Sequence, residues 1–190
     1  MLSEISGRLN WIDIFVIIII IRTTYIGFMR GFSVEIFKFL GIFTASIISI
    51  HYYNLLADFV GATVAFDKDI LGVISFMVLW LGSVMAFSFI FNLFTKFIRL
   101  EAVSSVNKWG GCALGILRGF FILGLVVITF RLTNTTYLKN SIEKSFSANT
   151  IADIAFINYR NTWSGVVMKF FPKEDVNYAV LGKKGAQEEK

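Results

Sequence analysis

The chain is short of charge and carries one proline, one cysteine and one histidine. Charged residues make up 16% of its 190 residues, against about 25% in a soluble domain. Hydrophobic residues are 56%, phenylalanine alone occurs 21 times, and the mean hydropathy is +0.70. These values exclude a soluble surface and, with a single proline, a disordered chain. Cys112 has no second cysteine to pair with, so no intrachain disulfide can form; an inert buried thiol is expected. The net charge of +5 is spread along the chain without a dense basic block. Such charges read as flanks that meet headgroups, and nucleic acid is not an expected partner. No metal-ligand cluster, phosphate-binding glycine loop or serine with a visible base partner occurs. The lone His51 stands beside Tyr52 and Tyr53, where an interfacial role is expected. No catalytic residue, cofactor or metal is therefore expected, and the protein is not read as an enzyme.

What the chain has instead is apolar runs long enough to cross a bilayer, which takes about 20 residues. The clearest, "ILGVISFMVLWLGSVMAFSFIFNLFT" at 70–95, has no charge. A second covers 32–53, with Glu35 and Lys38 in its first turns. A first span at 11–28 holds Asp13 and Arg22, and a fourth at 110–130 must include Arg118 to be long enough. With no small-x-small cleavage site after it, the first span reads as a retained helix rather than a signal peptide. "HYYNLLADFVGATVAFDKD" at 51–69 reads as an aromatic belt and acidic loop, and 96–108 as an interfacial connection. The expected fold is an all-α integral membrane protein. Residues 1–131 form a four-span bundle, and 132–190 form a polar, amphipathic helical tail. In the tail, Thr150 and Asp153 have capping-box spacing. Ile151, Ile154, Ala155, Trp163, Val166, Val167 and Phe170 could share one face, lying on the membrane or under the bundle.

One string is written twice: "GFMRGF" at 27–32 and "GILRGF" at 115–120. Each is read at the start of an even-numbered span, which a parallel repeat of two hairpins would produce; coincidence between short Gly- and Phe-rich strings is the alternative. Gly27 and Gly31, and Gly111, Gly115 and Gly119, recur every fourth residue. Each set would make a flat stripe where another helix can approach closely. An arginine at a helix centre costs about 2.5–3.5 kcal/mol on insertion scales. Arg30 can reach headgroups, but Arg118 needs a partner. Glu35, on the same side by the parity of the spans, is the first candidate, and Asp13 is expected at the opposite face. Asp13, Arg30, Glu35 and Arg118 are thus the candidate intramembrane polar residues, with a structural role favoured over a transport path.

Orientation is less decided by charge. Arg22, Arg30, Lys96, Arg99 and Lys108 flank the odd-numbered connections, and Arg8, Lys68, Arg131, Lys139 and Lys144 balance them. Adding Lys38 and Arg118 to the side from which they enter favours cytoplasmic odd-numbered connections, with both termini outside. The basic residues of the tail argue the other way.

"NWIDIFVI" (10–17), "GFMRGFSVE" (27–35) and "NKWGGCALGILRGFF" (107–121), in this order, resemble the bacterial colicin V production protein family. The resemblance covers about 10–131 and is carried by Asp13, Arg30, Gly31, Glu35, Gly111, Gly115, Arg118 and Gly119. Where that family usually has Asp-Arg, this chain has Asn107-Lys108, which weakens any acid–base role there. The resemblance implies a multi-pass protein of the bacterial inner membrane, supporting toxin (bacteriocin) production or export, or envelope homeostasis, without catalysis. Its expected partners are the lipid bilayer and a second copy or other membrane and export proteins. The alternative is a small oligomeric transporter or channel that uses the intramembrane charged residues.

Overall fold

A computed structural model describes residues 10–64, 66–95, 105–133, 135–170, 172 and 175–177, with the side chains of 94, 95 and 170 left aside. Arg8, the connection at 96–104 and the tail beyond 177 lie outside the described residues. Four long helices carry the fold: α1 (Trp11–Arg30), α2 (Phe32–Gly61), α3 (Lys68–Thr95) and α4 (Ser105–Leu132). All four are long and apolar enough to cross a membrane. The chain is an all-α membrane bundle.

Local chemistry sets the helix ends. Asn10 caps α1, its side chain accepting from the Trp11 N–H at 2.7 Å. Asp13 returns the favour, accepting from the Asn10 N–H at 3.0 Å, which completes a capping box. At the other end, a single residue separates α1 from α2. Gly31 has φ +78 and ψ 169, a combination open essentially to glycine. That residue reverses the chain, and α1 and α2 splay apart from it.

α4 fills the wedge. It packs antiparallel to α1 and alongside α2, while α3 covers the other side of α2. The order across the bundle is α1, α4, α2, α3. Exchange of the two hairpins maps this order onto itself, since α1 sits on α4 as α3 sits on α2. The doubled string does not follow that relation. Its first copy straddles the break at Gly31, and its second lies inside continuous α4. Arg118 pairs with Glu35, whereas Arg30 is exposed at the end of α1.

All four helices outrun the expected spans, α2 and α4 by the most. α2 continues past Tyr53 to Gly61, so most of the expected 51–69 loop is helix. α4 begins at Ser105 rather than Gly110. Arg118 therefore lies about three and a half turns into α4.

The tail folds as α5 (Thr136–Lys144) and α6 (Ala148–Thr162), followed by a π turn (Trp163–Val167) and a last helical turn, α7 (Met168–Phe170). Thr150 does not cap α6; Ser147 holds the N-cap position. The expected apolar face is also revised. Ile151, Ala155 and Trp163 are buried, but Ile154 and Val166 are exposed, and Ala148, Ala152, Phe156 and Tyr159 take their place. The π turn widens the helix after Thr162 and shifts the phase of everything beyond it. α6 lies against α4, where a Cβ on Gly124 would stand 2.5 Å from the Ala155 Cβ.

Candidate functional site

The polar residues of the bundle gather at two levels. At the level of the α1–α2 break, Arg118 Nη1 meets Glu35 Oε1 in an ion pair. Glu35 is fully buried and Arg118 nearly so. α2 supplies Glu35 from its first turn, and α4 supplies Arg118 from its middle. The pair is incompletely satisfied: Glu35 Oε2 and Arg118 Nε have no hydrogen-bond partner among the described residues. Arg30, exposed at the end of α1, lies close enough for its charge to act on both members.

Asp13 lies elsewhere. It is buried at the start of α1 and accepts hydrogen bonds from the Ser145 hydroxyl at 2.7 Å, the Ser147 hydroxyl at 2.6 Å and the Ser147 N–H at 3.1 Å. Asn10 adds a bond from its amide to the Ser141 carbonyl at 2.6 Å. Asp13 therefore ties the α5–α6 connection to α1 and takes no part in an ion pair among the described residues.

The glycines lie in the α1–α4 seam. A Cβ on Gly27 would collide with the Gly111 carbonyl oxygen, and one on Gly111 would approach the Gly31 Cα to 2.8 Å. On Gly115 it would meet the Thr23 carbonyl oxygen at 2.5 Å, and on Gly119 the Thr23 hydroxyl at 2.5 Å. Lipid gives leucine and phenylalanine no drive to associate, so this backbone-to-backbone approach is what holds α1 to α4.

Three features lay beyond the sequence reading. Asn107 Oδ1 accepts from the Ser33 N–H at 3.2 Å, satisfying a free amide at the start of α2 from another helix. His51, expected as a plain interfacial residue, stacks on Trp163 with ring centroids 3.5 Å apart and places Nδ1 2.8 Å from the Tyr159 hydroxyl. Asn177 closes this cluster, its N–H bonding the Tyr159 hydroxyl at 2.8 Å and its amide the Ile50 carbonyl at 3.0 Å. The only sequence signal for these was an aromatic-rich helix end and a polar residue before Gly110. Among the described residues no three His, Cys, Asp or Glu side chains come together as a metal site.

The family model described as "Colicin V production protein" matches residues 12–155. The chain belongs to the colicin V production protein family. The match takes in all four spans and continues to Ala155 in α6, past the 131 at which the sequence resemblance stopped. The residue at its end is the one that packs on Gly124. The colicin V production family is a membrane family, and the four spans agree with that. No curated protein and no solved structure matches the chain significantly.

Proposed function

We propose that this chain is a non-catalytic, multi-pass protein of the bacterial inner membrane that supports toxin production or export, or envelope homeostasis. The observation that carries this reading is the family match through all four spans and into the first half of α6. The use made of the polar residues supports it. Glu35 and Arg118 neutralise each other, and Asp13 is taken up by Ser145 and Ser147. Neither carboxylate, Asp13 or Glu35, is left without a partner. The test is deletion of the gene in a strain that makes colicin V, followed by assays of secreted toxin and of survival under envelope stress. Loss of either, restored by the wild-type gene, is expected. Unchanged secretion together with unchanged survival would overturn the reading.

A second reading, a small oligomeric transporter or channel, is favoured by the basic cavity between α2, α3 and α4. The outward face of α3, with Val78, Met85 and Phe89 exposed, leaves room for a second copy. Solute flux into proteoliposomes holding the purified protein would establish it over the first.

A further inference from the structure

A cavity of about 670 Å³ lies between α2, α3 and α4. Sites of about 300–1,000 Å³ hold small organic ligands. Its wall divides by chemistry. Arg30, Lys38 and Arg118 supply three cationic groups, and Phe37, Phe87 and Phe91 supply an aromatic wall.

The charges do not cancel. The carboxylate beside the cavity, Glu35, is engaged with Arg118. Neither Arg30 nor Lys38 forms an ion pair among the described residues. The cavity therefore carries surplus positive charge next to apolar surface, and a matching ligand must be anionic at one end and apolar along its length.

Position narrows the class further. Arg30 ends α1, at the edge of the bundle where a headgroup layer would lie. From Val34 to Ile42 the cavity follows eight residues of α2 (42 − 34), a depth of about 12 Å. One leaflet of hydrocarbon is about 15 Å, half of a core about 30 Å thick. A small soluble anion would satisfy the cations and leave the phenylalanine wall bare. Basic pockets between membrane helices are suited to anionic lipid headgroups.

We infer that this cavity binds an anionic glycerophospholipid. Its phosphate sits at Arg30 and Lys38 with the Arg118 charge behind them, and an acyl chain runs along Phe37, Phe87 and Phe91. Lipid binding there is independent of the functional reading above.

Native mass spectrometry of the full chain tests it, with dioleoyl phosphatidylglycerol and dioleoyl phosphatidylcholine supplied in equal amounts. The wild type is expected to retain phosphatidylglycerol selectively. Each basic residue near a charged lipid surface is worth about fivefold in affinity. The double variant Arg30→Gln/Lys38→Gln should therefore reduce the preference roughly twenty-five-fold. Ser88→Phe, which leaves every charge in place and fills the apolar part, should also abolish selective retention. Equal retention of the two lipids by the wild type would overturn the assignment. So would a preference that survives Ser88→Phe, since the headgroup would then be held outside the cavity. Displacement of the lipid by inorganic phosphate alone would point to a free anion and overturn it as well. Should either variant fail to fold, phosphatidylglycerol carrying a diazirine on its acyl chain can be crosslinked to the wild type. Adducts on the α2 and α3 segments that bear Phe37, Phe87 and Phe91 are expected, and adducts confined to other surfaces would refute the site.

Discussion

An arginine buried inside a membrane helix is tolerable with an anion beside it and expensive without one. Removing one partner of a buried pair costs about 3–5 kcal/mol, whereas replacing both by apolar residues of similar size is often neutral or better. Glu35→Gln or Arg118→Gln alone should therefore lower stability by about 3 kcal/mol or more, and Glu35→Met/Arg118→Met should recover most of the loss. Unfolding in mixed micelles with rising dodecyl sulfate measures it; losses that simply add in the double variant would mean the two side chains do not act as a pair. Asn107→Asp keeps the acceptor for the Ser33 N–H and adds negative charge at the start of α2, where the helix dipole favours it by about 0.3–1 kcal/mol. It should be neutral or slightly stabilising in the same assay, while Asn107→Ala should lose about 1 kcal/mol. The need of Arg118 for an anion was legible from its cost at depth, and Glu35 from the parity of the spans. The contact of Asn107 was not legible, because it joins residues 74 positions apart and no periodicity encodes it.

Among the elements, equal hydropathy goes with very different burial, for α3 and α4 are equally apolar over their most apolar stretches. The most apolar 18-residue stretch of α3 is 17% buried within the protein, and that of α4 is 61% buried. A helix facing lipid on most sides must be uniformly apolar, so α3 stands out in the sequence. A helix at the centre of the bundle can carry glycines and an arginine, because other helices and not lipid surround them. α4 is therefore as apolar as α3 over its best stretch and yet the span that holds the others together. The same logic explains α2: its last turns carry Asn54 and Asp58, which read as loop because they extend past the apolar span while remaining helical. The glycine seam gives the sharpest test at this scale. Gly115→Val forces a side chain onto the Thr23 backbone and should cost about 1–3 kcal/mol or more, as overpacking does. Gly82→Ala lies in α3 with nothing within 4 Å of the added carbon. It should be neutral or stabilising by up to about 1 kcal/mol, since alanine favours helix over glycine. Thermal unfolding of the two variants side by side decides it; equal losses would mean that the seam does not depend on close approach.

In the whole molecule, the tail is part of the bundle rather than an appendage. Asp13 holds Ser145 and Ser147, Arg131 bonds Asn149 at 3.0 Å, and Asn177 returns to Ile50 in the second half of α2. None of these links was legible, because Asp13 and its serines lie more than a hundred residues apart and short polar side chains carry no pattern. Asp13→Ala would leave two hydroxyls and an amide without their acceptor. A hydrogen bond to a charged group is worth about 1.5–3 kcal/mol, so the α5–α6 connection should open. Trypsin should then cut faster at Lys139 and Lys144 with the helical content unchanged. The anchor also settles which ends of the bundle share a side. The start of α1 and the tail meet at Asp13, and the basic residues Arg30, Lys38 and Arg118 belong to the other end. Positive charge in short connections stays cytoplasmic and long segments count less; with Lys38 and Arg118 added to Arg22, Arg30, Lys96, Arg99 and Lys108, that end has seven basic residues against Arg8, Lys68, Arg131, Lys139 and Lys144 on the tail's side. The tail should therefore lie outside the cytoplasm. Alkaline phosphatase fused after residue 190 should be active, and green fluorescent protein fused at the same point should be dark. The reverse pair of signals would turn the molecule over and move the basic cavity to the outer leaflet.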